Sequence, residues 1–110
     1  MTIGEFQRLI RDIYFDKDSR RGIDGTFRWF SEETGELARA LRKGGRAELE
    51  EEFADVLAWL ASLAEQKGVN LEAAAARKYA AGCPKCHRTP CACVEGKPEG
   101  GGRPEPGNRS

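Results

Sequence analysis

The sequence predicts an all-α protein built as a bundle of four helices. Apolar residues recur at helical spacing between Ile3 and Ala81, glycines divide that stretch, and no segment shows the alternation of a β-strand. The predicted helices span 3–15, 26–43, 47–66 and 71–81. A folding unit of this size has a small core, so we expect further burial through dimerisation or a bound metal.

Local signals set the ends of these helices. Thr26 and Asn70 are the predicted N-caps of the second and fourth helices, because their side-chain oxygens accept hydrogen bonds from free backbone N–H groups. The second helix is expected to end at Arg42-Lys43, before Gly44-Gly45. The polar stretch 16–22 is the predicted link between the first two helices.

The composition changes after the fourth helix. All four cysteines lie within 83–93, and glycine and proline dominate 94–110, which predicts a disordered tail after a helical domain at 1–82. The 18 basic and 18 acidic residues cancel, which gives no argument for a membrane surface or a general nucleic-acid partner. No apolar run of spanning length and no secretory signal are present, so we expect a cytoplasmic protein.

Two pairs of acidic residues occupy matching positions on the second and third helices. At about 100° per residue, Glu33 and Glu36 lie roughly 90° and 150° from the centre of their apolar stripe. Glu52 and Asp55 lie roughly 80° and 140° from theirs, in the same sense. The short Gly44-Gly45 link makes the helices antiparallel, which places both pairs on one side of the hairpin. Four carboxylates this close repel unless a cation binds, and oxygen ligands suit Mg²⁺ or Mn²⁺.

The acid pairs and their neighbours also have a plainer interpretation. Trp29 and Trp59 share the faces of the two pairs, where an indole can stack on a base, yet tryptophans are more often core residues. Acids are favoured at helix starts by the dipole, and an acidic face pairs with neighbouring basic residues. The matched angular offsets favour the metal site.

The acidic motifs also resemble a known family. Residues 32–36 read E-E-x-x-E, and residues 52–55 read E-x-x-D. Together with 20–23 and 77–79, they resemble the MazG-type, all-α nucleotide pyrophosphohydrolases over about residues 3 to 81. The resemblance implies a four-helix MazG-like bundle that assembles as a homodimer or a dimer of dimers.

The resemblance implies a Mg²⁺-dependent hydrolase that converts a nucleoside or deoxynucleoside triphosphate and water into a monophosphate and pyrophosphate, in clearance of the nucleotide pool. By position, the implied metal ligands are Glu33, Glu36, Glu52 and Asp55. The resemblance gives Glu32 the role of positioning or activating water. Candidates for binding the phosphates are Arg77 and Lys78, with a second set of Lys17, Arg20 and Arg21, and the plainer interpretation of all five is surface charge.

The cysteines form a C-x-x-C followed by a C-x-C. Four thiolates at Cys83, Cys86, Cys91 and Cys93 can complete a tetrahedral Zn²⁺ site, which we expect to be structural because it leaves no open position. His87 is a spare ligand. Disulfides, free thiols and redox chemistry are the alternatives, although no thioredoxin-like βαβ pattern accompanies the C-x-x-C.

Two other functions compete with the enzyme. The zinc knuckle, through Lys85, His87 and Arg88, is a candidate binding module for nucleic acid or protein on a helical dimer. The chain is alternatively a nucleotide binder that does not cleave its ligand. Convergent carboxylates argue against a nucleic-acid partner, since without a metal they repel phosphate.

Overall fold

The computed structural model describes residues 1–94, which form three α-helices: α1 (Ile3–Lys43), α2 (Arg46–Lys67) and α3 (Leu71–Tyr79). The described part of the chain contains no β-strand, which confirms the all-α prediction. Helix α1 is bent at Gly22, whose φ of 82° and ψ of 169° are not helical, so residues 1–94 contain four helical segments. The predicted disordered tail lies, apart from Val94, outside the described residues.

The link predicted over 16–22 is wrong, because α1 continues through it to the bend. Asp18 is buried, and its backbone carbonyl accepts a hydrogen bond from Gln66 Nε2 at 2.8 Å, which ties this polar segment to α2. Thr26 is not an N-cap. It lies inside the helix, fully buried, and its hydroxyl donates to the carbonyl of Gly22 across the bend at 2.9 Å.

Most of the other helix ends lie close to the positions predicted from the sequence. Gly44 and Gly45 join α1 to α2, and Gly68 ends α2 in the left-handed conformation with a φ of 69°. Asn70 Oδ1 accepts from the Ala73 amide at 2.9 Å, as predicted for an N-cap. Gln7 Oε1 accepts from the Leu71 amide at 2.9 Å and thereby adds a second cap. Helix α3 ends at Tyr79, earlier than predicted.

Helices α1 and α2 pack against each other, and most of their buried residues are small. The buried residues of the two helices are Gln7, Ile10, Asp18, Thr26, Ala40, Ala61, Ser62 and Ala64. Several large residues of the apolar stripes are exposed: Phe27, Leu41, Phe53, Leu57 and Leu60 are 38% to 60% accessible. One chain therefore leaves these stripes partly uncovered, and the dimerisation expected from the sequence stays a prediction.

The chain divides into two compact units. The first, Met1–Ala74, contains the α1–α2 hairpin and the start of α3. The second begins at Ala75, and its described part, 75–94, contains the end of α3 and the four cysteines. Within the described residues, no helix combines the length and apolar character needed to cross a membrane.

Candidate active site and cysteine centre

Acidic side chains from both helices of the hairpin converge at one point. Glu33 of α1 and Glu52 and Asp55 of α2 each offer a carboxylate oxygen, and these three oxygens lie within 4.8 Å of one another. Glu52 and Asp55 are one turn apart on α2, so they present neighbouring carboxylates to Glu33 on the facing helix. Three of the four predicted ligands are thus brought together.

The remaining two acids of the E-E-x-x-E motif are exposed. Glu36 Oε2 lies 3.5 Å from Arg39 Nη2, an ion pair one turn along α1. Its charge still contributes to raising the pKa of Glu33, so it is electrostatically part of the cluster. Glu32 is exposed at the adjacent position.

The cluster carries an electrostatic conflict that a cation would relieve. Burial is the largest cause that raises the pKa of Glu33 above its ordinary value, followed by the negative charges of Asp55 and Glu52. In addition, Glu52 Oε1 is buried without a hydrogen-bond partner among the described residues. Three oxygen donors, one of them unsatisfied, fit a hard divalent cation such as Mg²⁺ or Mn²⁺.

Two tryptophans lie one turn from the acids. The indoles of Trp29 and Trp59 stack with centroids 5.8 Å apart and planes 9° from parallel. The guanidinium carbon of Arg21 lies 4.9 Å from the Trp59 ring centroid. Arg21 Nη1 donates to Asp18 Oδ1 at 2.6 Å. Sequence reasoning missed Asp18. The only indication was its i, i+3 spacing from Arg21, which has meaning only if the segment is helical.

A pocket of about 210 Å³ adjoins the acids. Residues from both helices line it, including Lys17, Asp18, Arg21, Asp55, Trp59 and Ser62. Of the predicted phosphate-binding residues, Lys17 and Arg21 are therefore in the same pocket as Asp55. Arg77 and Lys78 are exposed in the last turn of α3, within the second unit, where Lys78 Nζ lies 5.6 Å from the Tyr79 ring centroid.

The four cysteine sulfurs also converge. All lie within 4.8 Å of one another, with Cys83 and Cys93 3.7 Å apart and Cys86 and Cys91 3.9 Å apart. Tetrahedral ligation at Zn–S distances of about 2.3 Å requires sulfurs about 3.8 Å apart. The donor set and its spacing therefore fit Zn²⁺, and the described residues place no other metal-ligand type in this group.

Backbone amides turn toward the sulfurs. The Ala92 amide donates to Cys86 Sγ at 3.2 Å, and the Lys85 amide donates to Cys83 Sγ at 3.4 Å. The Ala92 bond is the largest cause that lowers the pKa of Cys86 to about 6, whereas the neighbouring Cys91 thiol raises the pKa of Cys93 to about 12. Amide donors of this kind stabilise thiolates, which are the form that binds metal.

The loop between the cysteine pairs is tightly folded. His87 has a φ of 59°, and its amide donates to the Cys83 carbonyl at 2.7 Å. Gly82 has a φ of 102°, and a Cβ atom there would lie 2.7 Å from Thr89 Oγ1. These two left-handed residues turn the chain back so that the C-x-C approaches the C-x-x-C.

The described structure is an all-α protein with convergent carboxylates on a helical hairpin and a separate four-cysteine centre. The sequence model of the MazG nucleotide pyrophosphohydrolase domain matches residues 21–87, more than half of the chain. The chain belongs to this family, which confirms the resemblance seen in the motifs. The match includes all five acids and the first two cysteines. No curated protein matched the chain.

Proposed function

We propose that the chain is a Mg²⁺-dependent nucleoside triphosphate pyrophosphohydrolase, a hydrolase of acid anhydrides. It would convert an NTP or dNTP and water into a nucleoside monophosphate and pyrophosphate. The observation that carries this proposal is the convergence of Glu33, Glu52 and Asp55 within 4.8 Å, in a chain of the MazG family. We assign its role to clearance of the cytoplasmic nucleotide pool.

Glu33, Glu36, Glu52 and Asp55 would hold the metal. Glu36 would exchange its contact with Arg39 for the cation, at little cost because exposed ion pairs contribute little stability. A bound Mg²⁺ would neutralise negative charge on the phosphates. Glu32 would orient the attacking water and accept one of its protons, while the water oxygen bonds to the α-phosphorus and the anhydride bond between the α- and β-phosphates breaks. Pyrophosphate leaves with the bonding electron pair.

Substrate recognition would involve the two tryptophans and basic side chains. Trp29 is half exposed, which leaves part of its indole accessible to a base. Arg77 and Lys78 are exposed candidates for phosphate contacts. A nucleoside triphosphate is the proposed substrate, and we propose neither a membrane nor a nucleic acid as a partner.

The exposed apolar stripe supports assembly of two or more copies. Phe27, Leu41, Phe53, Leu57 and Leu60 remain accessible, although they are large apolar residues of the hairpin stripes. Surfaces of this kind are usually covered in solution. We propose that a second copy of the chain covers them, as a homodimer or a dimer of dimers.

We also propose that Cys83, Cys86, Cys91 and Cys93 hold one structural Zn²⁺. The sulfur spacing near 3.8 Å and the amide donors to sulfur support this assignment. Such a site would organise 83–93, a segment with few apolar residues of its own. The same centre would serve the alternative function, a binding module for nucleic acid or protein.

The test is pyrophosphate release from a panel of NTPs and dNTPs, with and without Mg²⁺. We expect Mg²⁺-dependent release with monophosphate as the other product, and its loss in Glu52→Gln. Glu51→Gln is the matched control, because Glu51 is the adjacent, exposed acid and lies outside the cluster. Absence of release from every nucleotide by folded, metal-loaded protein would refute the proposal and favour the binding module.

A further inference from the structure

The pocket beside Asp55 is lined by two basic and two acidic side chains. Lys17 and Arg21 line it together with Asp55, one of the three convergent carboxylates. An anion in this pocket would therefore lie next to both the basic side chains and the proposed metal ligands. That arrangement is the one required by a substrate phosphate group that must bind a metal and protein cations together.

Arg21 is held in place before any ligand binds. Its Nη1 donates to Asp18 Oδ1 at 2.6 Å, and Asp18 is only 6% exposed. Its guanidinium carbon is 4.9 Å from the centroid of Trp59, which is itself stacked on Trp29. The side chain has thus already lost much of the rotamer freedom that an exposed arginine loses on binding a ligand.

The held guanidinium retains unused donors. Within residues 1–94, Nη1 to Asp18 is the single hydrogen bond of the Arg21 side chain. A guanidinium carries five N–H donors in a plane, and pairs of them match the spacing of phosphate oxygens. Arg21 is 23% exposed and lines the pocket.

We propose that Arg21, assisted by Lys17, binds the diphosphate portion of the substrate that leaves as pyrophosphate. This inference rests on the proposed function and assigns part of its substrate site. The pocket has a volume of about 210 Å³, which is large enough for a diphosphate. Asp18 is a positioning residue, because it acts on the ligand only through the guanidinium that it orients.

A base is a poorer occupant of this pocket. Two aromatic residues line this pocket, Tyr14 and Trp59, and Trp59 is the one beside Arg21. The Trp59 ring already contacts Trp29 and the Arg21 guanidinium. Stacking a base on it would displace one of these contacts. A phosphate would accept hydrogen bonds from the Arg21 guanidinium in its present position and would disturb neither contact.

The test measures binding of inorganic pyrophosphate with Mg²⁺ to the full chain by titration calorimetry. We expect Arg21→Gln to weaken binding by about tenfold to a hundredfold, the range for charge-assisted hydrogen bonds. Arg21→Lys should bind with intermediate affinity, because it keeps the charge but loses the planar fork. Arg20→Gln is the matched control: Arg20 is the adjacent exposed arginine and is absent from the pocket lining.

Two results would overturn this proposal. Equal pyrophosphate affinity in Arg21→Gln and Arg20→Gln, with both variants folded as judged by circular dichroism, would show that Arg21 does not bind the anion. An Arg21→Gln variant whose KM rises for some bases and not others, at unchanged pyrophosphate affinity, would place a base in the pocket. Because pyrophosphate binding is measured without turnover, failure of the proposed reaction would be seen separately, as absent nucleotide hydrolysis by the wild-type chain.

Discussion

Trp29 of α1 stacks on Trp59 of α2, with ring centroids 5.8 Å apart and planes 9° from parallel. Each tryptophan lies one helical turn from a member of the acid cluster, Glu33 on α1 and Asp55 on α2. The stack therefore fixes the distance and rotation between the two helices at the point where their carboxylates converge. A metal site of the proposed kind, with ligands from two helices, would depend on such a contact, because a small shift separates the ligands.

The tryptophan stack is expected to contribute coupling energy. In a double-mutant cycle of Trp29→Ala, Trp59→Ala and the double variant, we expect a coupling free energy of about 0.5 to 1.5 kcal/mol, the range for aromatic pairs. Urea unfolding at one fixed protein concentration measures it. Strictly additive losses in the two single variants would mean that the rings contribute separately and that the stack does not join the helices.

The bend in α1 is expected to require glycine. Gly22 has a φ of 82° and a ψ of 169°, a region that only glycine occupies readily, so Gly22→Ala should lower the free energy of unfolding by about 1 to 3 kcal/mol. Gly35→Ala is the matched control in the same helix. Its added methyl meets no atom within 4 Å, so it should raise stability by roughly 0.5 to 1 kcal/mol. Equal effects of the two substitutions on urea unfolding would contradict the bend.

Glu33 is expected to make the metal-free protein less stable as pH rises. Its pKa in the folded state is raised above 4.5, chiefly by burial, so the folded state binds its proton more tightly than the unfolded state does. The free energy of unfolding should therefore fall as pH increases from about 4.5 through the folded-state pKa of Glu33. Glu33→Gln removes this part of the dependence, because the amide does not titrate.

Thermal unfolding with chelator, over pH values on both sides of 4.5, measures this effect. At neutral pH without metal, Glu33→Gln should unfold at a higher temperature than the wild type. Added Mg²⁺ should reverse the order, since it stabilises the intact cluster and not the variant. If the unfolding temperatures of the wild type and Glu33→Gln change equally with pH, then Glu33 does not destabilise the metal-free protein.

His87 is expected not to be a zinc ligand. It occupies the left-handed region with a φ of 59°, and the four-cysteine group is complete without it. His87→Gly should therefore retain one Zn²⁺ per chain and gain up to about 1 kcal/mol of stability from relief of the backbone. Zinc release to a competing chelator measures the affinity. Cys86→Ser is the control that should lose zinc, and loss of zinc in His87→Gly would give the histidine a ligand role.

The exposed stripe is expected to form the contact between copies. Phe53→Glu places a charge on that stripe and should convert the assembly to monomers in light-scattering measurements of mass, because burying an unpaired charge is costly. Ala47→Glu adds the same charge at an exposed position outside the stripe, in the first turn of α2, and should leave the mass unchanged. If the wild type is monomeric, or if the Phe53→Glu variant keeps the wild-type mass, then the stripe is not a contact between copies.

Several features could be predicted from the sequence because they depend on interactions between residues that are close along the chain. The Gly44-Gly45 link, the left-handed Gly68 and the Asn70 cap each depend on neighbouring residues, and the structure confirms the breaks between helices that they predicted. The angular positions of Glu33, Glu52 and Asp55 followed from helix geometry, and antiparallel neighbours then bring them to one side. The cysteine spacing similarly predicted a cluster whose members are near in sequence.

The tertiary structure decided what periodicity cannot specify. An apolar stripe shows that a helix face must be covered, but not whether the same chain or another copy covers it. Here α1 and α2 bury small residues such as Ala40, Ala61 and Ser62 and leave Phe53 exposed. Continuation of α1 through 16–21 likewise depended on a distant partner, because Gln66 of α2 bonds the backbone of Asp18. That contact, together with the burial of Asp18, stabilises helix in a polar segment whose local propensity does not require it.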